Sequence, residues 1–277
     1  MGLFGKGIAL IRNKRRIPDL QQSIDELEQW FTTPLGKQLL KEQQSVLDKE
    51  LSCLFGYHLM QASINRSIRL FKDSRICHCF AVGVGTQVDG SDVGAFSALD
   101  ELPLEDESVD VVILHHVLEF SSNPHQVLKE ASRVTIPRGY IIVVGFNPLS
   151  PMGIIKPFAQ LLSSSPIWRR NSLHKSRVAD WLQFLDCNTL RTQTGFYSLP
   201  LQNKRYLDLS SRSNRWFNRW RSPFGNFYCL VARKERVCLT PIRPNWHSEP
   251  KFKAVKPALS ARSSARLALV KDTTHRR

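Results

Sequence analysis

The chain has 277 residues, 42% of them hydrophobic, enough to bury a sizeable core. No apolar run approaches the roughly 20 residues of a membrane-spanning helix, so the sequence excludes a membrane span and the cytoplasm is the expected location. The formal net charge is +15, but 18 Lys or Arg against 4 Asp or Glu fall between Leu201 and Arg277. The basic character therefore belongs to the last quarter of the chain.

Met1 to Pro18 is free of acids, with apolar residues first and Lys14-Arg15-Arg16 after them. A secretory signal has the reverse order, so this reads as a basic arm or an organellar presequence. Gly2 is followed by Lys6 where myristoylation requires Ser or Thr. Asp19 caps a helix running to about Phe31. A second helix starts near Pro34, a favoured first-turn residue, with Leu35, Leu39, Leu40, Leu47, Leu51 and Leu54 at helical spacing. Residues 1–72 are expected to form an N-terminal helical extension that covers the following domain.

Ile76 to Val84 reads as a buried strand ending in glycines. It contains Cys77-His78-Cys79, but a strand puts the two thiols on one face and the imidazole on the other. No second ligand pair follows, so no metal is expected. The six cysteines form no paired framework and are expected to be free thiols. Val109 to Leu114 reads as another strand. Asn123-Pro124 opens a helix to about Val134, with Gln126 completing a capping pair. Pro137-Arg138-Gly139 turns the chain into a third strand, Tyr140 to Phe146, apolar as strands covered on both faces are.

A loop at Asn147–Gly153, a short helix near Ile154–Leu162 and a helix over Lys175–Leu185 follow. Leu190–Tyr197 and Phe227–Arg233 are expected to close the sheet. The main domain spans 73–238, and 239–277, rich in Pro, Ser, Lys and Arg, is expected to be a disordered basic tail.

Strands alternating with helices fit a parallel sheet covered on both faces. Ligands of such sheets bind beyond the carboxyl ends of the strands. That directs attention to Gly83–Gly85, the stretch before Val109, His115–His116 and Asn147–Gly153. Leu102-Pro-Leu-Glu-Asp-Glu-Ser-Val-Asp-Val-Val-Ile-Leu-His-His-Val-Leu-Glu119, then Leu128-Lys-Glu-Ala-Ser-Arg-Val134 and Pro137-Arg-Gly139, resembles the core of class I S-adenosylmethionine (SAM)-dependent methyltransferases. Gly145-Phe-Asn-Pro148, Asp180-Trp-Leu182 and the Leu-Val-Ala-Arg-Lys ending at Lys234 resemble a bacterial subgroup of methyltransferase-like proteins. Asn147-Pro148 is similar to the Asn-Pro motif of amino-group methyltransferases but follows a different strand, so that role is not carried over.

The resemblance implies a class I methyltransferase (Rossmann-like) α/β sheet, with SAM as cofactor and an unknown methyl acceptor. Gly83 and Gly85 would approach the carboxypropyl end of SAM, since glycine lets backbone come close without a Cβ. Leu99, Asp100 and Glu101 would lie near the adenine and His115 near the sulfonium. His115 or His116 would be the catalytic base. The family's loop is an acid followed by three alternating glycines, and here Ala81 replaces the acid and Gln87 the third glycine.

Residues 86–108 are too few for the two helices and two strands the family places there. The sheet is therefore expected to be abbreviated between its first and fourth strands, and Asp89 and Asp92 are positional candidates for the ribose acid. Residues 89–119 hold nine acids and no Lys or Arg, which reads as a solvated acidic rim.

The alternative is a catalytically inactive methyltransferase-like protein that binds RNA or another anionic partner through its basic C-terminal region. There Arg215, Arg219 and Arg221 interleave with Trp216, Phe217 and Trp220, a pattern suited to phosphate contact and base stacking. An anionic membrane surface is a third partner the charge admits, but no wide-faced amphipathic helix is evident.

Overall fold

The computed structural model describes residues 20–84, 95–97, 99–162, 168, 170–198 and 222–235. All fall in the first of two units into which contacts divide the chain, Met1–Val237 and Cys238–Arg277. The basic tail, the aromatic–arginine stretch at 212–221, Gly85, Asp89, Asp92 and the N-terminal arm lie outside the described residues.

Two helices open the fold, α1 (Leu20–Thr32) and α2 (Pro34–Leu51). Thr33 separates them with an extended backbone, and its hydroxyl accepts from Gly36 N at 3.2 Å, while Pro34 takes the first helical position. Leu35, Leu39, Gln43, Leu47 and Leu51 recur every fourth residue and form the buried stripe of α2.

The chain then enters a strand that the sequence reading placed inside the helical extension. β1 (His58–Ser63) is an interior strand of the sheet, so the domain does not begin at residue 73. Its start is fixed by Asp110 of β4 (Val109–His115), whose Oδ2 accepts from Tyr57 N at 3.0 Å and His58 N at 2.9 Å. Gly56 permits this approach, because a Cβ there would sit 2.5 Å from Asp110 Cβ.

β2 (His78–Val84) and β3 (Ala95–Ser97) extend the sheet on one side of β1. On the other side come β4 and β5 (Thr135–Phe146), then β7 (Phe227–Lys234) and β6 (Cys187–Gly195). The order is β3-β2-β1-β4-β5-β7-β6, parallel except for the antiparallel β7. All the strands that seemed too many for the interval 86–108 are present. β2, expected to be the first strand, is the second, because β1 lies upstream. The sheet is abbreviated between its first and fourth strands, as expected: the connection from β1 to β2 and the described residues 99–108 between β3 and β4 contain no helix.

α3 (Pro124–Val134) begins at Asn123, whose side chain makes no capping bond, contrary to the capping pair expected. Arg133 on this helix bonds to Leu102 O, Leu104 O, Asp106 and Glu130 and so holds the acidic turn against the helix. α4 (Pro151–Leu162) and α5 (Lys175–Phe184) complete the described elements. β5 starts earlier than expected, at Thr135, but its pairing jumps from Val109 with Thr135 to Val111 with Tyr140, so Pro137-Arg138-Gly139 bulges out of the ladder with Arg138 at φ 67°.

Candidate functional site

From β1 the chain steps outward to β2 and β3, then crosses back to β4 on the other side. The reversal lies between β1 and β4, and in an open α/β sheet the ligand crevice forms beyond the carboxyl ends of the strands at that point. In register, the last residues of the two strands, Ser63 and His115, are partners. Ser63 also partners Gly83 of β2, which puts Gly83 one strand away from the reversal.

Strand alternation would send His115 and His116 to opposite faces. Instead His116 leaves the strand with φ 55°, a left-handed conformation unusual for a non-glycine residue, and both imidazoles turn into one buried cluster with ring centres 4.5 Å apart. His115 and His116 are both buried. His116 stacks on Phe146 at 4.1 Å.

Gln43 of α2 fills the space between the two imidazoles. Its amide nitrogen is 2.8 Å from His116 Nε2 and its oxygen 3.1 Å from His115 Nε2. Ser63 Oγ is 2.9 Å from His115 Nδ1, and His116 Nδ1 is 3.1 Å from Glu119 Oε2. One assignment of protons satisfies all of these contacts. Ser63 O–H donates to His115 Nδ1, His115 Nε2–H donates to the Gln43 oxygen, the Gln43 amide donates to His116 Nε2, and His116 Nδ1–H donates to Glu119. Phe146 N donates to the other Glu119 oxygen at 2.5 Å. The chain of bonds runs in one direction across four segments and engages both nitrogens of both imidazoles.

Burial dominates the charge states. It holds His115 well below the usual imidazole range, with His116 adding to the effect, and it pushes His116 down to about 3, with Arg170 adding to it. Burial also raises Glu119 to about 8, against the lowering pull of Arg170, the Phe146 N–H and Lys156. The Glu119–His116 contact, close enough for an ion pair, is therefore a hydrogen bond to a neutral imidazole. Arg170 is itself buried, with its guanidinium 4.1 Å over the Phe146 ring.

The β1–β2 connection is tied to the helices. Arg66 Nη2 is 2.6 Å from Asp25 and its Nε 3.3 Å from Glu28, both on α1. Gln61 holds the same connection from the strand, donating to Ile68 O at 2.7 Å and accepting from Leu70 N at 2.7 Å.

A model of the methyltransferase domain matches residues 87–143. The Escherichia coli K12 protein YafS, itself uncharacterised, is 30% identical over 229 residues, covering 81% of this chain and 87% of YafS. The chain belongs to the class I methyltransferase-like family. A SAM-dependent methyltransferase of Thermotoga maritima, described as a possible histamine N-methyltransferase, matches in structure with a TM-score of 0.51 and 16% identity, over 77% of this chain and 97% of that one. The likeness is one of fold.

SAM is the cofactor of this family, and its glycine loop belongs after the first strand. Here that stretch is Ser63-Ile-Asn-Arg-Ser67, and no glycine occurs between Gly56 and Gly83. The residues present do not fit the family's way of holding SAM. Every glycine position after β1 carries a side chain, Ser63 and Asn65 are buried, and Arg66 is committed to α1. The domain model begins at residue 87 and so excludes this loop.

The other expected site residues are scattered. Gly83 closes β2, where a methyltransferase has its ribose acid, and not the first strand. Leu99 is buried, whereas Asp100 and Glu101 are exposed on the turn after β3, with Asp100 O accepting from Gln126. Sequence reasoning missed Gln43, Ser63 and Arg66. The available signal for Gln43 was a polar residue on an otherwise leucine-built stripe. Four acids of the expected solvated rim serve as structural partners: Asp106 to Arg133, Glu107 to Lys234, Asp110 to β1 and Glu119 to His116.

Proposed function

We propose that the protein acts in SAM-dependent methyl transfer to an acceptor of unassigned chemistry, from the crevice beyond β1 and β4. The observation that carries this reading is the strand reversal, which brings Ser63 and His115 together at the ligand-binding edge of a methyltransferase-family sheet. In this reading α1 and α2 are a cover, and Gln43 leaves the imidazoles before anything reaches them. Leu99, Asp100 and Glu101 are the proposed adenine side. His115 would lie near the methyl group, and either imidazole, once freed from Gln43, would be the group to take the acceptor's proton.

The glycine-free loop and the fully engaged imidazoles favour a second reading, in which the fold is kept and the cofactor is not used. An RNA or other anionic partner of the basic C-terminal region would then carry the function. Calorimetric titration of SAM and S-adenosylhomocysteine into the full chain, wild type and Gln43→Ala, separates the two. Micromolar binding that strengthens at least about tenfold in Gln43→Ala supports the first. No binding to either folded protein sinks it. Loss of RNA retention on deleting residues 240–277 would then support the second.

A further inference from the structure

α4 follows β5 at the same edge of the sheet as the crevice, and its two faces are inverted. A surface helix normally buries its apolar side and shows its polar side. Here Met152, Lys156 and Gln160, spaced four apart, face the domain. Lys156 is buried and donates to Arg170 O and Ser172 Oγ, both at 2.5 Å, while Gln160 donates to Trp168 O. The side turned to solvent carries Ile154, 65% exposed, and Phe158, 69% exposed, four residues apart, with Ile155 and Pro157 beside them. Both polar side chains in the described part of this helix are thus spent inward, and none remains on the outer side.

The apolar surface continues beyond the helix. Leu149, in the loop before α4, is half exposed. Asn147 Nδ2 donates to Pro223 O and Gly225 O, which fixes the turn bearing the exposed Phe224 at the same rim. Of the basic residues near this rim, Lys156 and Arg170 are buried, whereas Lys175 and Arg177 are not. Lys175 and Arg177 open the helix that starts three residues after Ser172, the partner of Lys156.

We infer that this rim docks on an anionic lipid surface, with α4 lying in the plane of the membrane and Ile154 and Phe158 inserted among the acyl chains. Apolar side chains that insert and basic residues that meet lipid phosphates are the two components of interfacial binding. A nucleic-acid partner would use exposed polar and basic groups on the helix, and the outer side has neither. A lipid surface requires only depth and positive charge. It would hold the crevice edge against the membrane and bring apolar or membrane-dissolved molecules to it.

The test is flotation of the full chain with vesicles of phosphatidylglycerol and phosphatidylcholine, or of phosphatidylcholine alone. Wild type, Ile154→Glu/Phe158→Glu and Phe158→Trp are compared, with circular dichroism to show that each is folded. Expected are binding to the anionic vesicles only, a loss of about tenfold or more in the double variant, and quenching of the new tryptophan by brominated lipid. Equal flotation of wild type and double variant, or an unquenched Phe158→Trp bound to vesicles, overturns the inference. So does a failure of folded wild type to float. A dimer in solution that the double variant dissolves would assign the face to a second copy of the chain and overturn the inference equally.

Discussion

Replacing Gln43 with Leu tests whether α2 is locked to the sheet by hydrogen bonds or only by apolar packing. Gln43 is fully buried and bonds to His116 Nε2 at 2.8 Å and His115 Nε2 at 3.1 Å. Leucine keeps the size but leaves a buried imidazole N–H without an acceptor and a buried nitrogen lone pair without a donor. Each such loss costs about 1–3 kcal/mol. The added apolar surface returns about 1 kcal/mol, so the expected net cost is about 3 kcal/mol. For a unit of this size that lowers Tm by about 6–12 °C. Urea unfolding followed by circular dichroism should show the midpoint fall with the slope unchanged. Ser45→Ala, on the exposed side of the same helix, should stay within about 0.5 kcal/mol of wild type. A Gln43→Leu protein as stable as the Ser45→Ala control would refute the lock.

The pH dependence of stability should carry the signature of the same cluster. Folding lowers His116 from 6.5 to about 3 and lowers His115, so stability rises with pH up to 6.5 as the unfolded imidazoles lose protons. Folding raises Glu119 from 4.5 to about 8, so its contribution falls as pH climbs from 4.5 to 8. Above pH 6.5 the Glu119 limb falls with a slope of up to about 1.4 kcal/mol per pH unit, until Lys156, lowered to about 8 by burial, opposes it near pH 8. Glu119→Gln should flatten it, and an unaltered limb in that variant, measured by unfolding at a series of pH values, would rule Glu119 out as its source. Tyr228 presents a different case. Its hydroxyl is buried and has no hydrogen-bond partner among the described residues. Tyr228→Phe should be neutral or raise stability by up to about 1 kcal/mol, and a loss of 1 kcal/mol or more in thermal unfolding would mean that the hydroxyl is satisfied.

The elements whose hydrophobic pattern is dense were legible in the sequence. The stripe of α2, the apolar runs Val111–Leu114 of β4 and Tyr140–Phe146 of β5, and the helix opening at Pro124 all fall where the sequence puts them. β1 was not legible, because His-Leu-Met-Gln-Ala-Ser has no β-branched residue and is neither a continuous apolar run nor a regular alternation. Its polar members are tolerated in the core only because other segments satisfy them. Gln61 is held by the Ile68–Leu70 backbone, and Ser63 by His115. Such long-range partners leave no local trace. One indirect trace existed, since an interval too short for its strands implies a strand elsewhere.

The same displacement moved the expected glycine site by one strand. Gly83 lies near the end of β2, and the loop that follows β1 contains side chains where the family keeps none. The pairing of His115 with His116 was unreadable for a different reason. It depends on one left-handed residue, His116, and nothing in its neighbours announces it.

The position of β1 also governs how the molecule can be divided. Its two neighbours, β2 and β4, lie on either side of it and do not bond to each other. A fragment beginning at residue 73 therefore loses an interior strand and not a flank, and presents two raw strand edges to solvent, an arrangement prone to association. The first strand to leave the ribosome is also the one that every later parallel strand is built around. It must wait about 50 residues for β4 to complete its pairing, so the cover helices and their buried glutamine are synthesised before the surface they close exists.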